Sequence, residues 1–453
     1  MPLRLRANAF IARPTTWLPA TRHGCVGAPL TRALSAVTPA PRREQFSVPC
    51  RSNGSITLDI FHASKPSPPV IVYLPSGPLV TLGPDEEDAV ITALQQHSEA
   101  TIARINYRAS TIHKYPTPVH DVLAGFDWLR DTFIRDEFNR SYIARLGVCG
   151  QLLGGSLAAM LALTECRLGE SGIGAAAINN PLADWVFPEE LPFIGTTELP
   201  EPLAAEDTAL PADEDPMSSI ALEATSDSAR KSRLRSKKEI PMTAWQRYSA
   251  NFVVPVRSLT LARDLLFRKT ENYFDPFASP IHYFRSPVAQ LVLPHSEDTS
   301  ASLQPDILHD AEIQMTLNHY TAGGGWANAA PELPTLTRCR AYMRGYPPAG
   351  SKINFPAWNV TTGLESPLSD QSKEITKMLR RSIARHTLKG HAGRTRWHDA
   401  IEKQMYEEIA EERVLLNDCP GVGLWTGQAG DFHERHMHDI GHWLKGQLEL
   451  GAS

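Results

Sequence analysis

A chain of 453 residues can hold one large domain with insertions or two ordinary ones, and in either case a sizeable core. Its composition, 42% hydrophobic and 21% charged, is that of a globular protein, and no apolar run approaches the ~20 residues that cross a bilayer, so no integral membrane segment is expected. The formal net charge of −5 includes seven arginines in the first 43 residues; without them it becomes −12, an acidic balance that argues against a nucleic-acid binder.

Those first residues carry Arg4, Arg6, Arg13, Arg22, Arg32, Arg42 and Arg43, with no Asp or Glu before Glu44. An Arg-rich, hydroxyl-rich, acid-free start is the composition of a mitochondrial transit peptide, and Arg32-Ala-Leu-Ser35 resembles a matrix-processing site. The expectation is a leader over 1–43 and a mitochondrial, matrix location. A plain disordered tail has the same composition. Six cysteines, Cys25, Cys50, Cys149, Cys166, Cys339 and Cys419, show no Cys-x-x-Cys and no close pairing, so free thiols in a reducing compartment are expected.

After the leader, Ser55 to Phe61 alternates apolar and polar residues, as a half-exposed antiparallel strand does. Pro69 to Leu74 is a continuous β-branched run, the pattern of a strand covered on both faces. A helix is predicted over Glu86–Ala100, a strand over Thr101–Tyr107 and a helix over Val119–Phe133. A strand over Tyr142–Cys149, a helix over Leu152–Arg167 and a strand over Ile173–Asn179 follow. Strands alternating with helices predict βαβ units and a mostly parallel sheet.

The alternation stops near Asp184. Residues 185–238 hold an acidic half (Glu189 to Asp215) and then a basic block, Arg230 to Lys238, which reads as a charged, disordered insertion. The more apolar stretch 239–333 is expected to form a cap and loops, with a helix at Leu259–Leu266. Gly323-Gly-Gly-Trp326 lacks the lysine and the strand-to-helix frame of a phosphate loop and reads as a turn. Over 334–453 the pattern resumes: a strand at Asn354–Thr362 broken by Pro356, helices at Asp370–His386 and His398–Leu415, a short strand at Val422–Thr426 and a closing helix at His436–Leu450. The two flanking parts, 44–184 and 334–453, are expected to form one domain around the insertion.

The stretch that organises this plan is Gly150-Gln-Leu-Leu-Gly-Gly-Ser-Leu-Ala-Ala159. A short apolar run, paired glycines and a Leu/Ala-rich helix make the layout of a nucleophile elbow, whose apex serine is exposed on a strained turn. The stretch resembles the Gly-Asp-Ser-Ala-Gly-Gly elbow of hormone-sensitive-lipase-like carboxylesterases and arylacetamide deacetylases, the α/β-hydrolase fold-3 branch. Three more stretches carry that resemblance. Val70 to Gly77 is similar to the strand before the oxyanion loop. Asn106-Tyr107-Arg108, Tyr115-Pro116, Asp121-Val122 and Trp128 are similar to the branch's Tyr-Arg…Pro…Asp…Trp stretch, and Gly363-Leu-Glu-Ser-Pro-Leu-Ser-Asp370 to the loop bearing the triad acid. The resemblance implies an α/β-hydrolase fold, a mostly parallel central sheet flanked by helices, with a large cap or insertion after the sixth strand.

It also implies a site, and at several positions this chain departs from it. The nucleophile slot holds Leu152, which cannot attack a carbonyl; Ser156, one helical turn on, is the alternative nucleophile or else a small packing residue. The elbow frame is Gly150, Gln151, Leu153, Gly154 and Gly155. The acid slot holds Ser366, with Glu365 beside it as a possible substitute. His433 follows in the chain order the fold imposes and occupies the base slot. The oxyanion loop reads Pro75-Ser76-Gly77-Pro78, and Pro78 has no N–H to donate. His433, His436, His438 and His442 lie within ten residues, and His438 and His442 have the i, i+4 spacing of metal ligands; but Met437 stands where His-Glu-x-x-His needs its second histidine, and a surface helix is the ordinary explanation, so no metal and no cofactor is expected.

The resulting expectation is a hydrolase-like pseudoenzyme that binds a small apolar ligand or a protein partner. Two alternatives stay open. One is an active carboxylic-ester or amide hydrolase using Ser156 or Ser76 with His433. The other is a subunit of a mitochondrial assembly, docking through 185–238 and the C-terminal helices.

Overall fold

The computed structural model describes residues 42–51, 54–65, 68–80, 84–134, 146–167, 172–191, 199–202, 242–292, 335–348, 350–394, 397–426 and 431–449. The leader up to residue 41, most of the charged insertion and the loop holding Gly323–Trp326 lie outside the described residues.

Two antiparallel strands open the sheet: β1 (Arg43–Pro49) pairs with β2 (Ser55–Phe61), and β2 with β4 (Thr101–Asn106). From β4 onward every pairing is parallel, through β3 (Val70–Leu74), β5 (Leu146–Gln151), β6 (Ile173–Asn179), β9 (Ala357–Gly363) and β10 (Val414–Cys419). The order across the sheet is β1-β2-β4-β3-β5-β6-β9-β10; β7 (Ala289–Val292) and β8 (Thr335–Arg338) form a separate antiparallel ribbon.

Successive side chains on β3 point to opposite faces, and both faces are covered. Val70, Val72 and Leu74 enter one core with Phe126, Leu157 and Met160. Ile71 and Tyr73 enter the other with Val90, Leu94, Met437 and Leu444. The first core is closed by α2 (Thr117–Trp128), α3 (Leu153–Thr164) and α6 (Ser369–Ala392), the second by α1 (Pro84–Ser98) and α8 (Asp431–Glu449). Between the halves lie α4 (Ala244–Arg247) and α5 (Val256–Leu266), and α7 (Ala400–Arg413) leads into β10.

Several boundaries differ from those predicted, each for a physical reason. β1 was not expected: its alternating exposed and half-buried residues carry little hydrophobic signal, and pairing with β2 makes the strand. The strand predicted at 142–149 begins at Leu146 and runs to Gln151, so the helix after it starts at Leu153. The helix predicted to Leu415 ends at Arg413 because Val414 to Cys419 pairs with β9. The strand predicted at 422–426 is a loop; Gly421 and Gly423, with φ of 64° and 67°, turn the chain there. The helix predicted over 119–133 ends at Trp128 in a single π turn, Leu129–Phe133.

Candidate functional site

β5 is the central parallel strand, between β3 and β6, and the chain leaves its end through Leu152. That residue has φ 54° and ψ −119°, a conformation that costs a non-glycine residue about 1–3 kcal/mol. Its N–H donates to Asn179 O at 2.9 Å, and its side chain is fully buried in the main core. Burying a leucine contributes about 1.5–3 kcal/mol, enough to offset the turn.

The glycines around it are required by backbone contact. A Cβ on Gly154 would lie 2.2 Å from the carbonyl oxygens of Leu74 and Pro75, and one on Gly150 would lie 2.5 Å from Gly154 O. Close approach of α3 to the ends of β3 and β5 needs both, with or without a reaction to perform.

No described side chain at the turn offers a nucleophile in working position. Ser156 is buried, its hydroxyl 2.7 Å from Leu182 O and 3.1 Å from Leu152 O, so its proton is directed to carbonyls. Cys149 is fully buried, and burial pushes its thiol well above the usual range. Ser76 is buried at the start of the oxyanion loop. Gly77 has φ +73°, and Tyr107 Oη donates to Pro75 O at 2.6 Å. A Cβ on Gly77 would meet Leu153 Cδ2 at 2.8 Å, so the Leu153 side chain occupies the space between loop and elbow. The cavity left there, lined by Tyr115, Leu153, Ser156, Trp185, Leu266 and Phe267 among others, measures about 20 Å³. That is room for about one water, far below the roughly 300 Å³ at which ligand pockets begin.

The acid position is no better disposed. Ser366 is buried in a turn, where its Oγ accepts from Leu368 N–H at 3.2 Å. Glu365 is exposed, its backbone tied to Gly421 O and to Asn251 Nδ2. His433 lies in the first turn of α8; its side chain is outside the described residues.

A neutral network closes the ends of β6 and β9. Asn179 Nδ2 donates to Thr361 Oγ1 and to Gly423 O, both at 2.7 Å. Asn180 Nδ2 donates to Val422 O at 2.9 Å, and Thr362 Oγ1 donates to Asn180 Oδ1 at 3.0 Å. Gln151 Nε2 donates to Thr426 Oγ1 at 2.9 Å, while its Oε1 accepts from Trp425 N–H at 3.0 Å. All these amides and hydroxyls are buried. They pin the loop after β10 to the elbow with hydrogen bonds rather than a charge relay. The sequence reading missed Asn179, Asn180, Thr361 and Thr362; paired polar residues at the ends of apolar strands were the available signal.

A second concavity is open and large. A cleft of about 710 Å³ lies between α6 and the loop 343–351. Phe284, Met343, Tyr346 and Met378 give it an apolar floor, and Arg344, Arg381, Arg385 and Lys389 line it with positive charge, with His386 beside them. No carboxylate is among its described lining residues. Burial, then Arg413 and Lys389, lowers the pKa of His386, as a positive field requires.

Residues 71–226 match the family model described as alpha/beta hydrolase fold. Among solved structures, the chain is similar to carboxyl esterase 2 of the mycorrhizal fungus Tuber melanosporum, at 12% identity over 92% of this chain and 90% of that one, with a TM-score of 0.51. A hyperthermophilic esterase of the archaeon Pyrobaculum calidifontis matches at 16% identity over 89% of this chain and 83% of that one, TM-score 0.48. A thermostable esterase from Pseudomonas putida matches at 13% identity over 90% and 83%, TM-score 0.47. A comparison with curated proteins finds no significant match. The chain has the α/β-hydrolase fold, its central sheet mostly parallel and flanked by helices. Within that fold it resembles the hormone-sensitive-lipase-like branch, by its motifs and by the family it matches. No described helix is long and apolar enough to cross a membrane.

Proposed function

We propose that this protein is a non-catalytic member of the hydrolase-like proteins, acting by binding. The observation that carries the reading is Leu152: it holds the strained apex of the elbow, fully buried, where the reaction needs an exposed hydroxyl. The neutral network beside it and the 20 Å³ cavity agree, since neither an activated nucleophile nor an acyl group has a place. The test is turnover of short-chain p-nitrophenyl esters together with labelling by a serine-directed fluorophosphonate. Neither is expected above a heat-denatured control; labelling that is lost in Ser156→Ala or Ser76→Ala would return the protein to the active hydrolases.

Binding then belongs to the basic cleft rather than to the elbow. Its volume suits a drug-sized molecule, and an apolar floor under four guanidinium and ammonium groups fits an amphipathic anion, an apolar body carrying a carboxylate or phosphate. Titration with oleate is expected to saturate in the wild-type protein and to weaken at least tenfold in Arg385→Glu. Equal binding by the two would remove the cleft from the reading.

For location, the acid-free, Arg-rich first 43 residues and the free, buried Cys50, Cys149, Cys166, Cys339 and Cys419 support the mitochondrial matrix. A C-terminal fluorescent fusion is expected to be imported, and deletion of residues 2–43 to leave it in the cytosol. A matrix signal from the deleted form would refute the leader.

A further inference from the structure

Three histidines meet on the face of the sheet covered by α1 and α8. His97 lies in the last turn of α1, and His438 and His442 stand one turn apart on α8. The ring centroids of His97 and His438 are 4.8 Å apart, those of His438 and His442 4.4 Å, and those of His97 and His442 6.3 Å. One nitrogen from each ring lies within 4.8 Å of the other two. α1 ends where β4 begins, at the N-terminal edge of the parallel strands, so this cluster is separate from the elbow at their C-terminal ends.

The packing that makes the cluster is specific. Gly441 falls between the two α8 histidines, and a Cβ there would lie 2.5 Å from His97 Cβ. The missing side chain lets α8 settle directly on the end of α1, which delivers the third imidazole to the i, i+4 pair. His438 Nδ1 lies 3.2 Å from Asp439 Oδ1, a carboxylate partner of the kind that orients a ligating ring. The carbonyl end of α1 adds a favourable dipole.

We propose that His97, His438 and His442 bind one Zn2+ ion, clamping α8 to α1. Three imidazoles suit a borderline cation, and three protein ligands leave the fourth tetrahedral position to water. Nitrogens about 2.0–2.1 Å from a tetrahedral ion lie about 3.4 Å apart. The nitrogens must therefore close by up to about 1.4 Å (4.8 less about 3.4), and His438 and His442 are both exposed, which leaves their rings room to turn.

The experiment is calorimetric titration of the full chain, free of any polyhistidine tag, with Zn2+, alongside thermal melts and circular dichroism. One ion per chain is expected, with a Tm that rises on addition of Zn2+. His438→Ala and His442→Ala change only exposed rings; each should retain the fold and weaken binding by about tenfold or more, and the double variant should lose both the binding and the Tm rise. Asp439→Asn should weaken binding by about tenfold with all three rings in place. A wild-type chain that takes up no Zn2+ at about 100-fold molar excess, or a folded double variant that binds as the wild type does, overturns the site.

Discussion

Leu152 illustrates how one residue can meet two opposing demands of a fold. The turn imposes a backbone conformation suited to glycine, yet the side chain is fully enclosed, so strain and burial act on the same residue with opposite sign. Their separation is measurable by chemical denaturation. Leu152→Ala should cost about 2–5 kcal/mol, because it removes the buried side chain and keeps the strain. Leu152→Gly removes both and should be about 1–3 kcal/mol more stable than the alanine variant, reversing the usual preference for alanine over glycine. An alanine variant equal to or more stable than the glycine one would show that the turn stores no strain. This residue was legible in the sequence because Gly150, Gly154 and Gly155 frame it at fixed spacing. His97 was not, since its partners lie more than 300 positions away and only the close packing at Gly441 joins them.

At the scale of elements, the motif residues around β4 and α2 hold secondary structure together. Arg108, just after β4, reaches Asp121 on α2 through two side-chain bonds of 2.9 and 2.7 Å and through its own N–H at 3.0 Å. Burial raises the Asp121 pKa, but Arg108 outweighs it and holds the carboxyl below its usual value. A depressed folded pKa contributes stability that is present above the unfolded value, about 3.9, and is lost as the pH falls through the folded one. Denaturation midpoints should therefore drop below about pH 4, and an Arg108→Met/Asp121→Leu double variant should flatten that part of the profile. Asp121→Ala alone removes all three of these bonds and the charge opposite Arg108, and should cost about 3–5 kcal/mol near neutral pH. An acid limb unchanged in the double variant would assign the effect to other carboxylates. The same logic explains what the sequence concealed: Val414-Leu-Leu416 suits a helix end as well as a strand, and only parallel pairing with Trp358 to Val360 decides between them.

Across the whole molecule, the mostly parallel sheet was foreshadowed by alternating strands and helices, because burial on both faces leaves continuous apolar runs such as Val70 to Leu74; the order of its strands was not. The site was legible only as a set of departures. Leu152 at the apex, Pro78 in the loop after β3 and Ser366 after β9 could be read at fixed spacing, while the amide and hydroxyl network depends on which strands become neighbours. The basic cleft was invisible for the same reason: α6 supplies Arg381, Arg385 and Lys389 on one helical face, but the wall opposite comes from the loop 343–351. That cleft also bears on how the protein can change. Gly345 and Gly390 both line it, and a Cβ added at either would meet nothing within 4 Å. New side chains there would reshape the cleft without disturbing the core, so selection can alter its shape at two positions that ask no concession from the fold.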